Sequence, residues 1–124
     1  MGYRSEVAIT VYEPGLVKLT EVCKEHDFMP RVYKNGECYT FYWQEVKWYK
    51  GFYSEVDAVE AVLNELEKCY NESEDDAYSF TFLRVGEDTN DIEERYVGDY
   101  WLDCAYIIRR IEIEGDEIEE IEED

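Results

Sequence analysis

The chain has 124 residues, with 32 Asp and Glu against 12 Lys and Arg, so that its formal net charge is −20. This charge argues against direct binding to nucleic acid or to an anionic membrane, because both depend on Lys and Arg that neutralise phosphates. The hydrophobic content of 45% and the aromatic content of 16% are typical of one folded domain rather than of a disordered chain.

The first part of the chain predicts a strand followed by a helix. Within residues 3–12, every second residue from Val7 to Val11 is apolar, which is the pattern of a half-buried strand. Pro14 then suits the first turn of a helix, and apolar residues recur at helical spacing over 14–26. The chain therefore begins with a β-α unit.

A hairpin with a long aromatic second arm is predicted next. Asn35-Gly36 lies between two strand-like runs, and both residues tolerate the positive φ that a tight turn requires. Trp48 is one residue out of phase with the aromatic residues that precede it. A bulge near Gln44–Glu45 would restore the phase, and a strand that ends at this point is the alternative.

The second half of the chain predicts another helix and further strands. An apolar stripe with a polar opposite face runs through 54–70, and a solvated loop follows over 71–76. Alternation over 77–85 indicates a strand, whereas the acidic segment 86–94 is interpreted as a loop. Residues 95–101 predict either a short strand or an irregular segment, and residues 102–114 predict one long strand.

The order β-α-β-β-α-β indicates an α+β fold. We expect a ferredoxin-like split β-α-β sheet with additional C-terminal strands and with both helices on one face. A single domain is expected over 1–114, and 115–124 is expected to form an acidic C-terminal tail. The other face of the sheet would be open unless the C-terminal segment or a second subunit covers it.

No pattern in the sequence predicts catalysis, a cofactor or a metal site. Cys23 and His26 form half of a zinc site at helical spacing, but no second pair of ligands lies nearby in the sequence. Asp88, Asp91 and Glu94 resemble a calcium loop only superficially, because the spacing and the central glycine of an EF-hand are lacking. We therefore expect a protein that is not an enzyme and that carries no cofactor or metal ion.

Charge and aromatic rings are both unevenly distributed along the chain. Residues 72–124 hold 20 of the 32 acids but four of the 12 bases. Such self-repulsion destabilises a compact state, so the acids are interpreted as serving a basic partner. The aromatic run 39–53 has two interpretations: it is covered by the chain's own C-terminal strand or a dimer mate, or it anchors a different partner.

Three stretches of the chain resemble a group of small acidic proteins encoded by bacteriophages: GYRSEVAI, VKWYKGFYSEVDAV and FLRVGEDTNDIEE. The similarity covers residues 2–112, and the members of this group are mostly of unassigned function. The resemblance implies a phage protein that acts in the cytoplasm of the bacterial host. It also implies an inhibitor of host defence, of the anti-CRISPR or anti-restriction type, that presents carboxylates where its target expects nucleic-acid phosphates.

The charge and the resemblance together predict a non-enzymatic protein that binds a basic, nucleic-acid-binding host protein by charge mimicry. The alternative is a phage accessory or structural protein that self-associates through its open sheet face, for example as a homodimer, with the charge serving solubility only. The predicted partner-binding residues are Glu74, Asp75, Asp76, Glu87, Asp88, Asp91, Glu93, Glu94, Glu117, Glu119, Glu120, Glu122, Glu123, Tyr39, Phe41, Trp43 and Trp48.

Overall fold

The computed structural model describes residues 4–49, 51–88, 90–98, 105–107, 111–113 and 115–118. In this part of the chain it contains two helices, eight strands and a short 3₁₀ helix over Asp76–Tyr78, which confirms the predicted α+β class. The helices and strands in chain order are β1 (Ser5–Val11), α1 (Glu13–Glu25), β2 (Arg31–Asn35), β3 (Cys38–Val46), α2 (Ser54–Ser73), β4 (Phe80–Val85), β5 (Ile92–Val97), β6 (Ala105–Ile107), β7 (Ile111–Ile113) and β8 (Asp116–Ile118).

Six of these strands form one antiparallel sheet in the order β5-β4-β1-β3-β2-β8. Helix α1 connects β1 to β2, and β3 lies between those two strands. Helix α2 connects β3 to β4, and β1 lies between them. Strands β5 and β8 extend the sheet beyond the four strands of the predicted β-α-β-β-α-β order. Because every neighbouring pair of strands is antiparallel, β1 ends at the same end of the sheet at which β3 and β4 begin.

Both helices pack on one face of the sheet around a large apolar core. Alternate residues of β1, such as Val7 and Ile9, point into this core because side chains alternate between the two faces of a strand. Each fully buried large side chain contributes roughly 1.5–3 kcal/mol relative to an exposed one. The fully buried side chains of this core include Ile9, Val11, Leu19, Phe41, Val56, Leu63, Leu66, Phe80 and Phe82.

The opposite face of the sheet is covered in part by β6 and β7, which pair with each other antiparallel. Ile111 of β7 is 5% exposed and packs in a second apolar cluster with Ala8, Tyr42 and Leu83. The Ile111 amide also donates a hydrogen bond of 2.6 Å to Glu6 Oε1. The prediction of one long strand over 102–114 is therefore wrong, because β6 and β7 run in opposite directions.

The predicted bulge in the aromatic arm is confirmed. Val7 pairs with Trp43 and Ser5 pairs with Val46, so that β3 carries one residue more than β1 across this interval. Glu45 takes a positive φ of 52° at this point. The extra residue turns the following segment, and Trp48 consequently joins the core on the helix face.

Several element boundaries differ from the predicted ones. The hairpin turn falls on Gly36 and Glu37, because Asn35 still pairs with Cys38 and only Gly36 has a positive φ, of 61°. The predicted loop over 86–94 is wrong for its last three residues, which begin strand β5. Strand β4 pairs along its whole length with β5 and so satisfies the backbone hydrogen-bonding groups of these residues.

The predicted acidic tail begins with residues that belong to the sheet. Asp116–Ile118 pair antiparallel with β2, and the partly buried Ile118 packs against the helix-face core. Backbone pairing with β2 and the packing of Ile118 thus both connect this edge strand to the sheet. Residues 119–124 of the expected tail lie outside the described part of the chain.

Candidate functional site

Three of the four predicted aromatic contacts are core residues. Phe41, Trp43 and Trp48 are 0%, 5% and 6% exposed, and all three lie on the helix face of the sheet. Their interpretation as partner-binding residues is wrong for the folded chain. The alternation along β3 predicts that its side chains divide between two faces, but it does not predict which face the helices cover.

The polar groups of the two tryptophans are also satisfied inside the protein. Trp43 Nε1 donates to the carbonyl oxygen of Phe28 at 3.1 Å, and Trp48 Nε1 donates to Glu60 Oε2 at 3.1 Å. The exposed ring of the aromatic run is instead Phe52, which is 84% exposed in the turn before α2.

Two of the predicted acids form a structural ion-pair network. Arg84 donates to both carboxylate oxygens of Asp91, at 2.8 and 3.1 Å, and to Glu93 Oε1 at 3.1 Å. The same guanidinium contacts Ser5 Oγ at 3.2 Å. The neighbouring carboxylates raise the pKa of Arg84. Asp91 and Glu93 therefore carry ion pairs that join β4 to β5, which gives these two predicted acids a structural role.

The remaining acids near this network have local roles or lie on β5. Glu87 Oε1 accepts a hydrogen bond of 3.0 Å from the amide of Arg4, and Asp88 Oδ1 accepts one of 2.9 Å from the amide of Asn90. Glu94 is exposed on β5, on the strand face opposite Arg95 and Glu93. Partial burial, together with the Glu94 carboxylate, raises the pKa of Tyr96.

The structure separates the predicted acidic residues instead of bringing them together. Glu74–Asp76 precede β4, whereas Glu87 and Asp88 follow it. A six-residue strand spans roughly 20 Å, so the two groups lie at opposite ends of the sheet. Glu117 lies in β8 at the sheet edge, and Glu119, Glu120, Glu122 and Glu123 lie outside the described residues.

The end of the sheet where β3 and β4 begin holds a groove with a volume of about 1030 Å³. We call it the acidic groove. Its walls come from the β1–α1 junction, the exposed side of α1, the β2–β3 turn and the 3₁₀ helix. The lining residues are Tyr12, Glu13, Pro14, Val17, Lys18, Glu21, Lys34, Gly36, Glu37, Tyr39, Asp76, Ala77 and Tyr78.

The lining of the acidic groove is negative and partly apolar. Four carboxylates line it against two lysines, and one of these, Lys18, is held by Glu65 at 2.7 Å. The ammonium of Lys34 lies over the ring of Tyr39, 5.7 Å from the ring centroid. Val17 is 54% exposed and offers an apolar contact in the same groove.

Helix α2 ends beside this groove in a way that opposes its own dipole. The C-terminal end of a helix is its negative pole and favours cations. The last turn of α2, which the structure describes completely, contains Glu72 and no basic residue. Glu74 then caps the helix at φ 56°, a left-handed conformation in which glycine or asparagine is usual. The acid in the last turn and the left-handed glutamate cap both reduce stability, so the stability of the fold does not explain why acids occupy these positions.

Asp75 and Asp76 differ in what they do at this end. Asp75 Oδ1 accepts a hydrogen bond of 3.0 Å from the amide of Ala77 and so begins the 3₁₀ helix. Asp76 is exposed and lines the acidic groove. Tyr39 lines it as well, so two of the predicted site residues meet there.

Sequence reasoning missed most of the acidic groove, although a signal for it was present. Glu13 follows β1, Glu37 precedes β3 and Asp76 precedes β4. The predicted order of strands and crossovers places these three connections at one end of the sheet. The groove could have been found by asking which loops share one end of the sheet, whereas counting acids along the chain finds Asp76 but neither Glu13 nor Glu37.

The side chains that suggested nucleophilic or metal chemistry occupy positions that the fold itself explains. Burial raises the pKa of the Cys23 thiol to about 12, so this thiol remains protonated near neutral pH. His26 caps the C-terminus of α1. Within the described ranges, no three His, Cys, Asp or Glu side chains are grouped closely enough to hold a metal ion.

Neither of the helices that the structure describes has the length and apolar character needed to cross a membrane. No protein-family model, curated protein or solved structure matches this chain, so the family to which the three sequence stretches point remains a prediction.

Proposed function

We propose that the chain is a non-enzymatic binding protein whose acidic groove docks on a basic surface of another protein. The observation that carries this proposal is the placement of carboxylates around a groove beside the negative pole of α2. A basic surface would relieve the repulsion there, and the free-energy gain would add to binding.

The groove also offers the short-range contacts that charge alone does not supply. Tyr12, Tyr39 and Tyr78 line it, and tyrosine is enriched among the residues that dominate binding at protein interfaces. Long-range attraction would accelerate association, and these rings together with Val17 would slow dissociation.

The phage resemblance supports a more specific partner. We infer a nucleic-acid-binding defence protein in the cytoplasm of a bacterial host, because such a protein presents a groove that is built to receive phosphates. The strand order β4-β1-β3-β2 with two crossover helices supports a ferredoxin-like core for the chain, with β5 and β8 added at its edges.

The alternative, self-association through an open sheet face, receives less support. Strands β6 and β7 lie on that face, and Ile111 is buried against it. The apolar surface that this alternative requires is therefore partly occupied by the chain itself.

The test compares two variants that remove the same charge from opposite ends of the fold. In the groove variant, Glu13→Gln, Glu37→Gln and Asp76→Asn remove three negative charges. In the control variant, Glu25→Gln, Asp27→Asn and Glu45→Gln remove three exposed charges at the other end. Tagged proteins are incubated with host lysate at low salt, captured proteins are identified by mass spectrometry, and association rates are then measured with the purified partner.

We expect the wild type and the control variant to capture the same nucleic-acid-binding protein and to release it as salt rises. The groove variant should associate about tenfold more slowly or more, since electrostatic steering changes association rates by factors of 10–10³. Equal association of the two variants would refute the groove as the docking site. Capture of further copies of the chain alone would favour self-association.

A further inference from the structure

The acidic groove of the free protein already contains a cation on one of its tyrosines. Lys34 of β2 and Tyr39 of β3 are cross-strand partners, and the Lys34 ammonium lies over the Tyr39 ring at 5.7 Å from its centroid. Lys34 is exposed, so its ammonium remains hydrated and is free to leave. The chain thus shows which chemical group this ring accepts.

A guanidinium would fit this position better than an ammonium. It is planar and weakly hydrated, so it stacks flat on an aromatic ring, whereas an ammonium retains its water. Its five donors also form a fork that matches a carboxylate. Glu37 and Asp76 line the same groove as Tyr39 and supply such acceptors.

We propose that the acidic groove selects an arginine side chain on an extended segment of the partner, and that Lys34 is the internal competitor which this arginine displaces from Tyr39. This inference rests on the proposed function, and it names the group of the partner that is recognised. The groove volume of about 1030 Å³ lies at the upper end of the range for small-molecule sites, which leaves room for residues on both sides of the arginine.

A protein segment is the occupant that the charges favour. Four carboxylates line the groove, and Lys18 is neutralised by Glu65, so a nucleotide or another phosphate compound would be repelled. One wall of the groove is α1, which packs into the core, and the β2–β3 turn and the 3₁₀ helix supply Glu37 and Asp76. Sites on helices are held more precisely than sites on loops alone, so the α1 wall suits discrimination between two cations of equal charge.

The test uses three fluorescent peptides of seven residues, in which glycine alternates with arginine, lysine or citrulline. Citrulline has nearly the shape of arginine but no charge. Fluorescence anisotropy at low salt should show that the arginine peptide binds about fivefold more tightly than the lysine peptide, as expected from one good cation–π contact. The citrulline peptide should bind at least tenfold more weakly than the lysine peptide.

Two variants separate stacking from charge. Lys34→Met should tighten binding of the arginine peptide more than binding of the lysine peptide, because only the arginine has to displace Lys34 in order to stack on Tyr39, whereas the lysine ammonium stays hydrated in the groove. Arg31→Met removes an equal charge from the same strand outside the groove, and it should leave the ratio of the two affinities unchanged. Tyr39→Leu should reduce that ratio to about one, and a far-ultraviolet circular dichroism spectrum checks that this variant is folded.

Equal affinities of the wild type for the arginine and lysine peptides would overturn the inference. So would an unchanged ratio in Lys34→Met, which does not depend on the folding of the Tyr39 variant. If the ratio is one while the groove variant with three neutralised acids still loses its partner, the proposed function stands without arginine selection. If that variant retains its partner and no peptide binds, both proposals are wrong.

Discussion

The two ends of the sheet both carry carboxylates, and they use them in opposite ways. Where β4 ends, Arg84 draws Asp91 and Glu93 into one network that ties β4, β5 and Ser5 together. Where β4 begins, Glu72 lies in the last turn of α2 and Glu74 caps that helix in a strained conformation. The first arrangement stabilises the fold, and the second costs stability.

The comparison shows that the number of acids does not locate a binding surface. The Arg84 side chain is 16% exposed, so the guanidinium interacts with its carboxylates in surroundings that water screens only in part. The acids at the α2 end are exposed and have a helix pole of the same sign beside them. Under the proposed function, the acids of the second kind would gain most when a basic partner arrives.

The largest effect is expected for Arg84→Ala. Removing the guanidinium removes its ion pairs with Asp91 and Glu93 and its contact with Ser5, so the free energy of unfolding should fall by about 2–4 kcal/mol. Urea denaturation followed by tryptophan fluorescence measures this change. Arg31→Ala removes an exposed cation and should cost less than about 0.5 kcal/mol. Equal losses in both variants would show that Arg84 has no special structural role.

A smaller effect, of about 1–2 kcal/mol, is expected for Asp91→Asn. This change keeps the size of the side chain, but the amide nitrogen cannot accept a hydrogen bond, so one bond to Arg84 is lost and the other loses its negative charge, and unfolding should become easier. The measurement is the urea midpoint at constant slope. If the variant is as stable as the wild type, the acids at the Arg84 end do not stabilise the fold, and the contrast between the two ends of the sheet is wrong.

The opposite sign is expected for Glu74→Gly. Glycine adopts the left-handed conformation without the strain that a β-carbon brings, so the free energy of unfolding should rise by about 1 kcal/mol. Glu74→Gln removes the charge and keeps the β-carbon, so it separates strain from electrostatics. If glycine at this position lowers the melting temperature, the Glu74 backbone is not strained.

The smallest effect is expected for Glu72→Gln. Removing a negative charge from the last turn of α2 should raise the free energy of unfolding by roughly 0.3–1 kcal/mol at low ionic strength. The gain should shrink as salt is added, because exposed charges are screened. Thermal unfolding at two salt concentrations measures both quantities, and a salt-independent gain would point to a cause other than the helix dipole.

Much of the fold was predictable because local periodicity reports it directly. The stripe through α1 and the alternation of β1 place their apolar residues at the spacing of a helix and of a strand. The bulge at Gln44–Glu45 was predictable for the same reason, since Trp48 would otherwise lie on the wrong face. Strand β5 was predicted only for its last residues, as one of two alternatives, because the consecutive charges of Glu93, Glu94 and Arg95 hide its first half, and it is held by pairing with β4.

The candidate site was less predictable because its parts are distant in sequence. Glu13, Glu37 and Asp76 meet only when strands and crossovers are arranged in a sheet. The surroundings of Phe41 and Asp91 likewise depend on tertiary contacts. The helices cover Phe41, and Arg84 pairs with Asp91.

By itself, the sequence determined the charge of the chain, the α+β class, the positions of both helices and the change of phase near Gln44–Glu45. These properties follow from composition and from periodicities of a few residues. Only the tertiary structure decided which sheet face the helices cover, that β6 and β7 lie over part of the other face, and which acids are paired. These outcomes depend on contacts between residues far apart in the chain, whose free energies no local pattern contains.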